Sequence, residues 1–200
     1  MELGRVLGTA YQKHNVLEPG YDDKRGFDAH LSARDMRDIL GATTWEAIFT
    51  FALVRNPWDR TFSMYNFRRK RRPKSLVGVD FAEYVRRLAA RADGEDALFD
   101  CPAYYWSAAD YILDEDGKVM VDYVGRYEAR DRAMRVVGER LGLPGFGRLF
   151  LQRASPIGRH YSEFYDEETR DLVADVYRRD VEFFGYSFDG VPEGVAQSAD

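Results

Sequence analysis

Arg55 and Ser63 stand eight residues apart in VRNPWDRTFS, where an apolar run breaks into a charged turn and resumes with helical spacing. An arginine offers a planar, permanently charged fork that suits phosphate or sulfate. A helix amino terminus just beyond a parallel strand adds N–H groups and the positive end of a dipole, so the stretch reads as an anion site. The same residues also make a purely structural arginine turn, and both readings stand. His30 lies just outside the start of another helix, where such a side chain hydrogen-bonds a helix end or a neighbouring loop.

The elements that must hold these groups follow from periodicity. Ile48 to Val54 is apolar without alternation, as in a strand buried on both faces of a parallel sheet. Asn56 is a helix cap, Pro57 suits the first turn, and Asp59 sits where the dipole favours a carboxylate. Trp58, Phe62 and Tyr65 then face the sheet, with Asp59, Ser63 and Asn66 on another flank. Upstream, Met1 to Gln12 carries a helical stripe from its first residue, Glu18 to Phe27 is a loop, and Ser32 with Asp35 opens a helix that Gly41 ends.

Downstream, the spacing predicts a packing helix over Phe81 to Ala92. The aromatics of CPAYYWSAADYIL read first as core and second as a stacking platform for adenine or sugar. LDEDGKV is a hairpin turn with MVDYVGRYE as its return strand, and Arg126 and Glu128 make an ion pair or touch a ligand. Further helices run over Ala129 to Leu143 and Asp166 to Phe184. Between them lies a long loop with Arg148, Arg153, Arg159 and His160.

With 200 residues, 45% of them hydrophobic, the chain supports one domain over residues 1–190 and a loose tail over 191–200. Its net charge of −5 argues against a nucleic-acid binder. Arg68 to Lys74 nevertheless places six cations together, as a solvated helix end or as a landing strip for an anion. The single Cys101 and three scattered histidines give no metal-ligand spacing, and neither GxGxxG, GxxxxGK[ST] nor GxSxG occurs. No run approaches a membrane span and no signal segment opens the chain, so a cytoplasmic location is expected.

VRNPWDRTFSMY resembles the 3′-phosphate-binding motif of sulfotransferases that use 3′-phosphoadenosine 5′-phosphosulfate (PAPS), in particular Golgi-type carbohydrate sulfotransferases and their bacterial relatives. The similarity runs from about His30 to Phe188 and takes in VGRYE and YRRDVEFFGYSF. It implies an α/β fold of the nucleotide-kinase kind, a small parallel sheet flanked by helices, with Arg55 and Ser63 gripping the cofactor's 3′-phosphate. It also implies that His30, in His30-Leu31-Ser32, is the general base on an acceptor hydroxyl, most naturally that of a carbohydrate. Members of the family carry a KTGGTS-like loop for the 5′-phosphosulfate, which these residues lack. The expectation is therefore an N-terminally incomplete sulfotransferase domain whose central strand misses a principal neighbour. The alternative is a non-catalytic module that keeps the 3′-phosphate pocket.

Overall fold

A computed structural model describes residues 31–90, 97–99, 105–143, 146 and 160–190. These fall into two units, one formed by 31–54 with 110–146 and the other by 55–109 with 160–190. His30, Cys101, Arg148, Arg153, Ser155, Arg159 and the tail lie outside the described residues.

In the first unit, Ser32 and Asp35 form a reciprocal capping box at the start of α1 (Ala33–Leu40), as the sequence predicts. Ser32 Oγ accepts from Asp35 N, while the Asp35 carboxylate accepts from Ser32 N at 2.9 Å and Ser32 Oγ at 2.6 Å. Gly41, at φ 79°, ends α1 in a conformation that costs a side chain dearly, and the chain turns at once into a short α2 (Ala42–Ala47) that periodicity did not announce. Strand β1 (Phe51–Val54) is shorter than the apolar run that contains it. It pairs in parallel with β2 (Tyr123–Arg126), with Phe51 opposite Tyr123 and Val54 opposite Arg126.

Thr50 and Asp122 pin this register from just outside the strands. The Asp122 carboxylate accepts from Thr50 N and Oγ1, both at 2.7 Å, and Asp122 N donates back to Thr50 Oγ1. Helix α6 (Arg130–Arg140) packs on the strand pair through Ala133, Met134 and Val137. Gly125 permits this approach. A Cβ there would lie 2.6 Å from Ala133 Cβ and 2.7 Å from Leu53 Cδ2.

Two expectations are corrected in this unit. Of β1 only Val54 is buried and the other three residues are half-buried, because β1 pairs with a single strand among the described residues. The turn at 114–117 does form, with Leu113 and Val119 bridged antiparallel. The strand after it, however, pairs in parallel with β1 instead of completing a hairpin. The physical reason is that Asp122 bonds to Thr50 and directs the chain onto β1.

In the second unit the hub is α3 (Pro57–Arg71), and α4 (Phe81–Ala90), α7 (Glu167–Val176) and the 3₁₀ turn Tyr161–Phe164 pack against it. The predicted stripe, expected to face the sheet, meets aromatic rings of these helices and turns, with Trp58 and Phe62 buried and Tyr65 half-buried. Phe62 stacks on Phe164 at 4.3 Å and meets Phe81 edge-on at 5.4 Å, and Tyr65 lies against Phe81 and Tyr84. Asn66, expected on the polar flank, is buried and donates Nδ2 to Phe62 O at 2.9 Å. On α4 the expected positions Phe81, Tyr84, Val85 and Leu88 are buried, and Ala89 is half-buried.

The expected helix over Asp166 to Phe184 is two helices. Asp166 caps α7 and the chain kinks at Tyr177 into α8 (Arg178–Phe184). No glycine or proline marks the break. Tyr177 is buried beneath the Arg60 guanidinium, and three residues on, Asp180 is turned fully inward.

Candidate functional site

Asn56 builds the turn that presents Arg55. Its Oδ1 accepts from Trp58 N at 3.0 Å and more weakly from Asp59 N at 3.4 Å. Its Nδ2 donates to Ser187 O at 2.9 Å. The turn is thus tied to the segment that ends the described chain, and Phe188 of that segment meets the Trp58 ring edge-on at 5.8 Å. Tyr165 donates to Trp58 O at 2.8 Å and Trp58 Nε1 donates to Arg170 O at 2.9 Å. The first turn of α3 is therefore held from several sides. YSF at 186–188, one of the segments that carry the resemblance, acts here as a brace for the VRNPW turn.

Asn56 also changes what this helix start can do. Pro57 has no N–H, Trp58 and Asp59 give theirs to Asn56 Oδ1, and Arg60 N donates to Asn56 O at 2.8 Å. The backbone donors expected to receive an anion are already engaged, so recognition falls to side chains. Arg55 Nε donates to Asp59 Oδ2 at 2.7 Å, with 23% and 26% of the two side chains exposed. That pair orients the guanidinium, which carries five donors in a fixed fork. Ser63 is half-buried and follows Asp59 by four residues on α3, so Asp59 and Ser63 share one side of the helix. Arg55 joins that side through its bond to Asp59.

Next to this line lies a group the sequence did not single out. Arg60 donates Nη2 to Trp106 O, places its guanidinium 4.8 Å from the centre of the Tyr177 ring, and has Nη1 3.6 Å from Asp180 Oδ2. The buried Asp180 carboxylate accepts from Ala108 N and Ala109 N, both at 2.8 Å, at the start of α5 (Ala108–Ile112). Burial pushes the Asp180 carboxyl up, against the Arg60 charge and the amide hydrogen bonds that pull it down. In the sequence Asp180 is one charge among several in YRRDVEF, and nothing local separates it from its solvated neighbours.

The basic run divides. Arg68 is buried, with Nε donating to Tyr105 Oη at 2.7 Å, so it belongs to the core. Arg69, Lys70, Arg71, Arg72 and Lys74 are exposed. Tyr105 is buried, as expected of a core aromatic, while Trp106 is 40% exposed. At the base position, the capping box of α1 is complete with Ser32 and Asp35, so helix capping does not require His30. Among the described residues no group of histidine, cysteine and carboxylate side chains is placed to hold a metal ion.

A family model described as "Sulfotransferase family" matches residues 23–187. The chain belongs to the sulfotransferase family. That match covers Arg55, Ser63, His30 and the Ser187 brace, and it assigns this protein to the transferases that move a sulfuryl group. The α/β expectation holds: among the described residues this sulfotransferase is mostly helical with a small two-stranded parallel sheet. No curated protein and no solved structure matches the chain. Among the described residues, no helix of this sulfotransferase is long and apolar enough to cross a membrane.

Proposed function

We propose that this sulfotransferase takes its sulfuryl group from 3′-phosphoadenosine 5′-phosphosulfate and delivers it to a carbohydrate hydroxyl. The observation that carries the reading is the line Arg55, Asp59, Ser63 at the start of α3: a guanidinium oriented by a carboxylate, with a hydroxyl one turn beyond that carboxylate. A phosphate monoester fits that donor set, since a guanidinium and a hydroxyl together address several of its oxygens. Arg55 and Ser63 would hold the 3′-phosphate, and the bound nucleotide supplies the activated sulfuryl group. His30 is the base that accepts the proton of the acceptor hydroxyl, a role that rests on the resemblance of His30-Leu31-Ser32 to the family's segment.

The test is calorimetry with adenosine 3′,5′-bisphosphate and adenosine 5′-monophosphate. The bisphosphate binds more tightly, because only it offers a 3′-phosphate. Arg55→Ala removes about 1.5–3 kcal/mol of its binding, the usual worth of a charged hydrogen bond. Equal affinity for the two nucleotides, or an unaffected mutant, would overturn the assignment.

A further inference from the structure

The exposed part of the basic run has a setting that the sulfuryl-transfer reading does not use. We propose that the carboxyl end of α3, with the turn after it, is a docking surface for an anionic lipid bilayer. Successive residues rotate by about 100° around a helix, so Arg69, Lys70 and Arg71 spread around the end of α3, with Arg72 and Lys74 just beyond. Arg68 is turned inward and anchors this crown to the core through Tyr105. Some exposed arginines elsewhere have carboxylate partners, as in Arg34 with Glu115, Arg86 with Glu168 and Arg178 with Asp175, while Arg37, Arg132, Arg135 and Arg140 are exposed without one among the described residues but stand apart in sequence. Among the described residues, Arg69, Lys70, Arg71 and Lys74 form no ion pair. Residues 69–74 thus bring four such cations together in a chain whose net charge is −5.

Charge alone would suit any polyanion, and the apolar side chains beside it decide the partner. Val77 is 80% exposed, the most exposed large hydrophobic side chain among the described residues, and Phe67 is 37% exposed beneath the Arg71 guanidinium. Val77 is held outward by a built turn. Leu76 before it is buried, Ser75 N donates to Arg72 O, and Val79 N donates to Leu76 O. Cations flanking protruding apolar side chains match a bilayer interface, where the charges meet anionic headgroups and the apolar groups enter the acyl boundary. An acidic polysaccharide or a nucleic acid would engage the cations and leave Val77 in water.

The experiment is co-sedimentation of the full chain with vesicles of phosphatidylcholine alone and with about 30% phosphatidylserine, at low and high salt. Binding to the anionic vesicles should exceed binding to the neutral ones by about tenfold or more and weaken as salt screens it. The triple variant Arg69→Glu, Lys70→Glu, Arg71→Glu should abolish it, and Val77→Asp should weaken it by about threefold to tenfold. Val77→Trp should strengthen it, with a blue-shifted tryptophan emission on adding vesicles. All substituted positions are exposed, and a thermal melt of each variant confirms folding. No preference for anionic vesicles overturns the proposal. Binding that Val77→Asp leaves unchanged and that heparin or an oligonucleotide competes away also overturns it, in favour of a polyanion site. Nucleotide calorimetry is read separately, so failure here leaves the donor assignment standing.

Discussion

Arg55 Nε donates to Asp59 Oδ2 across 2.7 Å, so the proposed phosphate-gripping guanidinium already carries a carboxylate partner. That partner orients the fork and also sets a negative charge beside the place where a phosphate would sit. Both side chains are about one quarter exposed, so solvent screens the pair only in part.

Asp59→Asn keeps an oxygen for Arg55 Nε and removes the charge. Repulsion of the phosphate then falls while the orientation survives, and bisphosphate binding should tighten by about threefold to tenfold, an effect of order 1 kcal/mol for unit charges in a well-screened setting. Asp59→Ala loses the orientation as well and should gain less. Calorimetry on both variants checks this. Weaker binding by Asp59→Asn than by Asp59→Ala would show that the oxygen facing Arg55 Nε does not orient the fork for a phosphate.

His30→Ala should lower sulfate transfer by about 10² to 10⁴ with nucleotide affinity nearly unchanged, as removal of a general base does. The completeness of the Ser32 and Asp35 capping box means that folding should not suffer. A steady-state assay beside a thermal melt separates the two effects. Full turnover in the variant would remove His30 from the proposed chemistry.

Gly125→Ala should destabilise the protein by about 1–3 kcal/mol through overpacking. Its new Cβ would sit 2.6 Å from Ala133 Cβ and 2.7 Å from Leu53 Cδ2, and Ala133 lies on a helix with no flexible end to give way. A chemical melt with unchanged denaturant dependence is the expected form of the result. Wild-type stability would mean that α6 shifts outward at little cost.

Asp166 gives stability a pH dependence whose sign can be worked out. Its hydrogen bonds from the Thr169 hydroxyl and N–H hold the carboxyl below its ordinary value of 3.8. A depressed folded-state value stabilises the folded protein above 3.8, and that contribution is lost as pH falls through the depressed value. Asp35 behaves alike, for the same reason at Ser32. Asp180 has the opposite sign, since burial raises it and its contribution fades as pH rises. Asp166→Asn should therefore flatten the loss of stability between about pH 5 and pH 3, as urea melts at both pH values would record. Identical slopes in wild type and variant would contradict it.

What the sequence determined by itself lies within a few residues of each position. The Ser32 and Asp35 capping box, the Asn56-Pro57 helix start and the buried stripe of α4 depend on side chains reaching neighbours three or four places away, and they form as read. The family, too, is carried by a contiguous motif. The tertiary structure alone decided which partner lies opposite. It chose β1 as the mate of β2 through Thr50 and Asp122, drew Arg68 inward while leaving Arg69 to Arg72 outside, kinked the last helix at Tyr177, and buried Asp180 under two amides. A charge or an apolar residue has the same local preferences wherever it stands. Burial and pairing come from contacts distant in sequence, such as the 72 residues between Thr50 and Asp122 or the 131 between Asn56 and Ser187, and no local pattern encodes them.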